Sequence, residues 1–78
     1  MKVSRDDVVG VIASANVVEN AAALRPSVPL VEQGVDSLGI FNILLLLDQK
    51  YGIETPDEDI GELRTIDSIV DYLNRRLA

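Results

Sequence analysis

The chain contains no cysteine, no histidine and no tryptophan. Without Cys there is no disulfide framework, thiolate zinc site or cysteine nucleophile, and without His no Ser-His-Asp triad can be assembled. Most self-contained catalysis is thereby excluded. Aromatic residues make up 4% of a chain that is 47% hydrophobic, so the core falls to Val, Ile, Leu and Ala, at a hydrophobic content too high for disorder. Basic residues are scarce as well: 7 Lys and Arg against 13 Asp and Glu leave a net charge of −6. Such a chain repels phosphate backbones and anionic membranes, which argues against nucleic acid and favours basic partners. Long apolar runs are missing too. The longest, Ile43 to Leu47, falls far short of the ~20 residues of a membrane-spanning helix. The opening Met1-Lys2-Val3-Ser4-Arg5-Asp6-Asp7 turns acidic at once and has no apolar h-region, which predicts no signal peptide and a cytoplasmic location. At 78 residues there is room for a single domain, 1–78, with one modest core, expected as a monomer.

What is present reads as helix. Ser4 can cap a first helix with Asp6 and Asp7 in its first turn, near the positive end of the dipole. Val8, Val9, Val11, Ile12 and Ala15 recur at helical spacing; the pattern fades from Asn16 to Asn20, although Val17, Val18 and Ala21 to Ala23 could extend it. Arg25-Pro26-Ser27-Val28-Pro29-Leu30 cannot be regular helix and forms a long first loop, with Val28, Leu30 and Val31 as apolar anchors onto the core. Gly34 allows a tight bend. Either Asp36 or Ser37 caps the second helix, which runs to about Tyr51 with Gly52 as its stop. Thr55 as cap and Pro56 at the first helical position predict a short acidic turn through Asp57, Glu58 and Asp59. Thr65 caps a final helix with Ile66, Ile69, Val70, Leu73 and Leu77 on one face and Arg75 and Arg76 in the last turn. The expected fold class is all-α, three main helices plus one short helix.

On the second helix, Ile40, Ile43, Leu44, Leu47 and Tyr51 share one face, and that face suffices for burial. Leu38, Phe41 and Leu45, spaced i, i+3 and i+7, form another apolar stripe rotated away from it, beginning one residue after Ser37. Left exposed, this stripe is a docking surface; covered by the Pro-containing loop, it is ordinary core. Ser37 has two readings as well. A serine at a helix start is commonly only a cap. With no His or other base to activate it, a chemically special Ser37 would have to be modified by another protein.

Gly34-Val35-Asp36-Ser37-Leu38, the aliphatic helix ending in Tyr51-Gly52-Ile53, and the following Pro56-Asp57-Glu58-Asp59 together resemble the acyl carrier protein and peptidyl carrier protein family. The likeness runs from about Val31 through Leu77, and the N-terminal helix fits in length and position. It implies a four-helix bundle of acyl carrier type, in which a phosphopantetheinyl transferase uses coenzyme A and magnesium to join a covalent 4′-phosphopantetheine arm to Ser37. The arm's thiol then holds acyl or aminoacyl cargo as a thioester and presents it to loading ligases, synthases or transferases with basic patches. The carrier itself would not be an enzyme and would hold no metal. The resemblance gives Asp36 the task of assisting the transferase, and makes Leu38, Phe41 and Leu45, with Asp48, Asp57 and Glu58, the surface met by partners.

Two departures bear on the branch. Among Gly39, Asn42, Asp48, Gln49 and Lys50 on the second helix there is a single acid, whereas carriers of fatty-acid synthesis are acid-rich there; the charge lies instead at Glu54, Asp57, Glu58, Asp59 and Glu62. Gly39 directly after Leu38 is seen in carriers of amino acids. These lean the expectation toward an aminoacyl or secondary-metabolite carrier. Ile43, Leu46 and Leu47 could part to admit an acyl chain or could simply fill the bundle. The alternative function is an unmodified helical adaptor that binds a partner through Leu38, Phe41 and Leu45.

Overall fold

The computed structural model describes residues 2–78. Helix α1 spans Arg5–Ala15 and starts in a capping box. The Ser4 hydroxyl accepts the Asp7 N–H at 3.1 Å, and the Asp7 carboxylate accepts the Ser4 N–H at 2.9 Å. Asn16 then adopts the left-handed conformation and ends the helix, so Val17 and Val18 lie beyond it and Ala21–Ala23 forms only a 3₁₀ turn. Ser4's backbone N–H, and then its hydroxyl bond, hold the Asp7 carboxyl below the usual carboxylate range. A depressed folded pKa means stabilisation that is complete above the ordinary carboxylate range and is lost as pH falls through the depressed value. Asp7→Asn is therefore expected to flatten the acid limb of the stability curve, measured by urea denaturation across that range, and to lower the plateau above it.

The first loop is fastened at several points. Leu30 is fully buried, its N–H donating to the Arg64 carbonyl at 2.8 Å, while the Asp67 N–H donates to the Pro26 carbonyl at 3.0 Å. The Gln33 side chain accepts the Arg25 N–H at 2.7 Å and donates to the carbonyls of Arg25 and Val28 at 3.0 and 2.9 Å. Val28 is half-buried, as an anchor should be, but Val31 is exposed. The expectation for Val31 is thus corrected. Leu30–Gln33 forms a 3₁₀ turn, and with three residues per turn the residue after an inward-facing Leu30 faces out.

Helix α2 spans Ser37–Tyr51 and stops at Gly52, whose positive φ of 65° admits glycine without strain. Ile43, Leu44 and Leu47 are buried and Ile40 and Tyr51 half-buried, which is the face its periodicity predicts. The connection that follows departs from expectation. Thr55 does not cap the acidic turn: the 3₁₀ helix Asp57–Glu62 begins after Pro56, which holds the cap position without a side-chain bond. Asp48 has taken both Thr55 donors instead, its carboxylate accepting the Thr55 hydroxyl at 2.7 Å and the Thr55 N–H at 3.1 Å.

Helix α3 spans Ile66–Leu77 and starts in a capping box between Thr65 and Ser68. Ile66, Ile69 and Leu73 are buried, and Val70 and Leu77 half-buried. Tyr72 is buried as well, its hydroxyl donating to Asp59 at 2.8 Å and accepting from Arg76 at 2.7 Å. Burial first, and then the bond to Asp59, push the Tyr72 hydroxyl above its usual pKa. The other Arg76 nitrogen donates to the Glu54 carbonyl at 3.1 Å, so one tyrosine fastens the short helix to α3. Helix α1 contacts both α2 and α3. Arg5 reaches Asp67 of α3 at 2.7 Å, and Asn74 bonds both backbone groups of Val3. Among the described residues, three long helices and the short helix Asp57–Glu62 form an all-α four-helix bundle with the long first loop expected. Among the described residues no helix is long and apolar enough to cross a membrane.

Candidate functional site

The first turn of α2 is built from the loop upward. Gly34 turns the chain with φ 95°, and Val35 is buried, its N–H donating to the Leu30 carbonyl at 3.1 Å. Asp36 and Ser37 are then both exposed. Which of them caps the helix is decided by backbone geometry. Asp36 is extended, at φ −80° and ψ 176°, and its carboxylate accepts the Gly39 N–H at 2.8 Å. Ser37 is the first helical residue. Its hydroxyl is not the cap and is presented at the end of a helix where backbone N–H groups and the dipole favour a negative group. The Asp36 carboxylate occupies part of that field and offsets part of its benefit.

The stripe following Ser37 is not covered by the loop. Leu38 is 68% exposed, Phe41 48% and Leu45 44%, which sets aside the reading of these residues as core. Val31, on the loop, is 59% exposed and is a further large apolar residue left to solvent. Sequence periodicity cannot find it, because its exposure depends on the turn formed by Leu30–Gln33. Contiguous apolar surface of this kind marks contact sites on soluble proteins.

The acids expected on the partner surface divide into two groups. Asp57 and Glu58 are exposed at the start of the short helix. Asp48 is half-buried and engaged by Thr55, so its carboxylate holds the connection after α2. Farther along, Asp59 accepts from Tyr72, and Glu62 lies 3.6 Å from Arg75. Inside the bundle, Ile43 and Leu47 are fully buried among the core residues, and Leu46 is half-buried against them.

Comparison with known proteins bears on this arrangement. The family model described as "Phosphopantetheine attachment site" matches residues 6–73. The meromycolate extension acyl carrier protein of Mycobacterium leprae is 30% identical, with 96% of this chain and 69% of the relative covered. An acyl carrier protein of Rhodococcus erythropolis is 34% identical over 76% of this chain and 71% of its own length, and one of Campylobacter jejuni 30% identical over 88% and 90%. Among solved structures, the butyryl-ACP from the actinorhodin polyketide synthase of Streptomyces coelicolor superposes with a TM-score of 0.81. It covers 99% of this chain and 93% of that one at 21% identity, a likeness that speaks to the fold. On the family match and these relatives, the chain belongs to the phosphopantetheine-attachment family of acyl carrier proteins.

Proposed function

We propose that Ser37 bears the 4′-phosphopantetheine arm of this carrier, and that Asp36 both caps α2 and assists the transferase that installs the arm. The family carries that group covalently. When bound, it supplies a thiol on which acyl cargo is held as a thioester. The observation that carries the assignment to Ser37 is the division of roles at the start of α2: Asp36 does the capping, and the Ser37 hydroxyl stands exposed beside it. The local chemistry fits a phosphodiester, since first-turn amides and the helix dipole stabilise negative charge. In the installation step the Ser37 oxygen attacks the coenzyme A phosphorus that carries the pantetheine arm; the new P–O ester bond forms as the pyrophosphate bond breaks, and adenosine 3′,5′-bisphosphate leaves. The Ser37 hydroxyl proton passes to a base outside this chain, because the sequence has no histidine and the neighbouring Asp36 carboxylate is engaged as the cap of α2.

Leu38, Phe41 and Leu45, with the acids Asp57 and Glu58 beside the following turn, form the surface offered to the transferase and to the enzymes that load and unload cargo. The acidic surface steers basic partners and makes the encounters fast, salt-sensitive and weak, as suits a carrier that must leave each enzyme in turn. Asp48 belongs to the scaffold of that surface. Its carboxylate already serves Thr55.

The named relatives are acyl carriers, which supports acyl cargo for this chain. Gly39, the residue that leaned the expectation toward aminoacyl cargo, is crowded by Val35, Asp36 and Val17 where a side chain would lie, and so weighs less as a marker of that branch. Incubation with coenzyme A, magnesium and a broad-specificity phosphopantetheinyl transferase is expected to raise the intact mass by one arm. A folded chain of unchanged mass would favour the adaptor that uses Leu38, Phe41 and Leu45 without modification.

A further inference from the structure

Glycine is among the poorest residues for a helix interior, and exposed or loosely packed helical glycines lose nothing in space by becoming alanine. Gly39 is of a different kind. It is buried in the first turn of α2, and a methyl placed on it would lie 3.1 Å from Val35 Cγ1, 3.2 Å from Asp36 Oδ1 and 3.2 Å from Val17 Cγ1. The two carbon contacts are inside the ordinary carbon contact distance of about 3.5–4.0 Å, and the oxygen contact is tight as well. At Gly10 and Gly61 the same methyl would meet nothing within 4 Å.

The three crowding atoms belong to three parts of the site. Val35 is the buried residue beneath the Asp36-Ser37 turn, and its N–H is tied to Leu30. Asp36 Oδ1 is the capping oxygen, held 2.8 Å from the N–H of Gly39 itself. Val17 is half-buried in the segment that follows α1. A side chain at position 39 would have to push against these. Val35 is buried, whereas Asp36 is exposed and Val17 half-buried, so displacement falls first on the Asp36 carboxylate and on Val17.

We propose that Gly39 is a positioning residue. Its missing side chain lets the segment after α1 close onto the first turn of α2 and keeps Asp36 on the Gly39 N–H, which together fix where Ser37 presents its hydroxyl. The inference rests on the reading of Ser37 as the attachment point. Because Phe41 and Leu45 face solvent farther along α2 while Gly39 faces inward in its first turn, a change at Gly39 acts on the position of the reacting oxygen and leaves those two residues of the docking stripe in place.

The test is a separation of kcat from KM in arm installation, with coenzyme A, magnesium and a broad-specificity transferase. Gly39→Ala is expected to lower kcat roughly tenfold, as a small misplacement of a reacting group does, with KM for the carrier near that of the parent. Partial unfolding alone would raise the apparent KM and leave kcat unchanged. Adding Val17→Ala, which removes one of the crowding methyls, is expected to recover most of kcat. In the unmodified proteins the amide resonances of residues 36–39 should move in Gly39→Ala and move back in the double variant. Where Gly39→Ala fails to fold, Val17→Ile enlarges the same contact from the other side and is expected to lower kcat with the glycine kept. An unchanged kcat in the folded variant, or a kcat that Val17→Ala does not restore, overturns the proposal. A parent chain that takes no arm overturns the Ser37 reading instead.

Discussion

Ser37→Ala is expected to accept no arm at all while remaining as stable as the parent chain. The two halves of that result have separate causes. Modification ends because the only oxygen presented at the first residue of α2 is removed. Stability persists because Asp36 does the capping, with its carboxylate 2.8 Å from the Gly39 N–H, and exposed substitutions away from such features stay within about 0.5 kcal/mol. Asp36→Ala should behave in the opposite sense on stability. Loss of an N-cap carboxylate costs about 0.5–2 kcal/mol, and the assistance proposed for Asp36 in arm installation is expected to go with it. Intact-mass measurement and urea denaturation on both variants separate the roles. A Ser37→Ala chain that still gains an arm would place the attachment elsewhere, and one that loses as much stability as Asp36→Ala would return Ser37 to the role of cap.

Phe41→Asp is expected to weaken binding to the transferase and to cargo-handling enzymes by roughly ten- to a hundredfold, with the helical fold retained. Phe41 is 48% exposed and flanked by Leu38 and Leu45 on one open stripe. An aromatic at the centre of a docking patch is where contact energy concentrates, and truncation at such positions commonly costs 2 kcal/mol or more, about thirtyfold in affinity. Aspartate adds the cost of burying a charge against an apolar partner. The fold, in contrast, has little at stake, since Phe and Asp have similar helix propensities and the buried face of α2 lies at Ile43, Leu44 and Leu47. Circular dichroism and partner titrations read the two effects separately. Global unfolding of Phe41→Asp would show that the residue supports the core.

Helix existence was legible in the sequence wherever a cap and a periodic face coincided. Ser4 with Asp7, Thr65 with the Ile66 face, and Gly52 as a stop all act within a few residues, so local pattern determined them. Legibility failed where a residue's partner lies outside its own element. Thr55 followed by Pro56 has the composition of a cap, but Asp48, seven residues earlier, takes both of its donors. Tyr72 was left out of the expected face of α3, because the acceptor of its buried hydroxyl, Asp59, lies on the short helix. Gln33 carries no pattern at all, yet it makes three bonds that hold the first loop.

The candidate site shows the same division. Leu38, Phe41 and Leu45 could be seen as a second stripe from spacing alone, but whether the loop covered them required the fold, which leaves them open. Asp36 and Ser37 are both good caps, and composition cannot choose between neighbours. The extended backbone of Asp36 does. Gly39 suggested a branch of the family by likeness, and the three atoms crowding its missing side chain supply a local physical reason for it.

The other serines are placed differently from Ser37. Ser4 and Ser68 sit in capping boxes, and the Ser14 hydroxyl donates to the Gly10 carbonyl at 3.1 Å. Ser27 is exposed in the first loop but starts no helix. The most direct test is to treat the parent chain with coenzyme A and transferase and to locate the added mass by fragmentation. Every modified fragment is expected to contain Ser37, and fragments bearing only Ser4, Ser14, Ser27 or Ser68 are expected to keep their unmodified masses. An arm found on any of those four serines would contradict the assignment to Ser37.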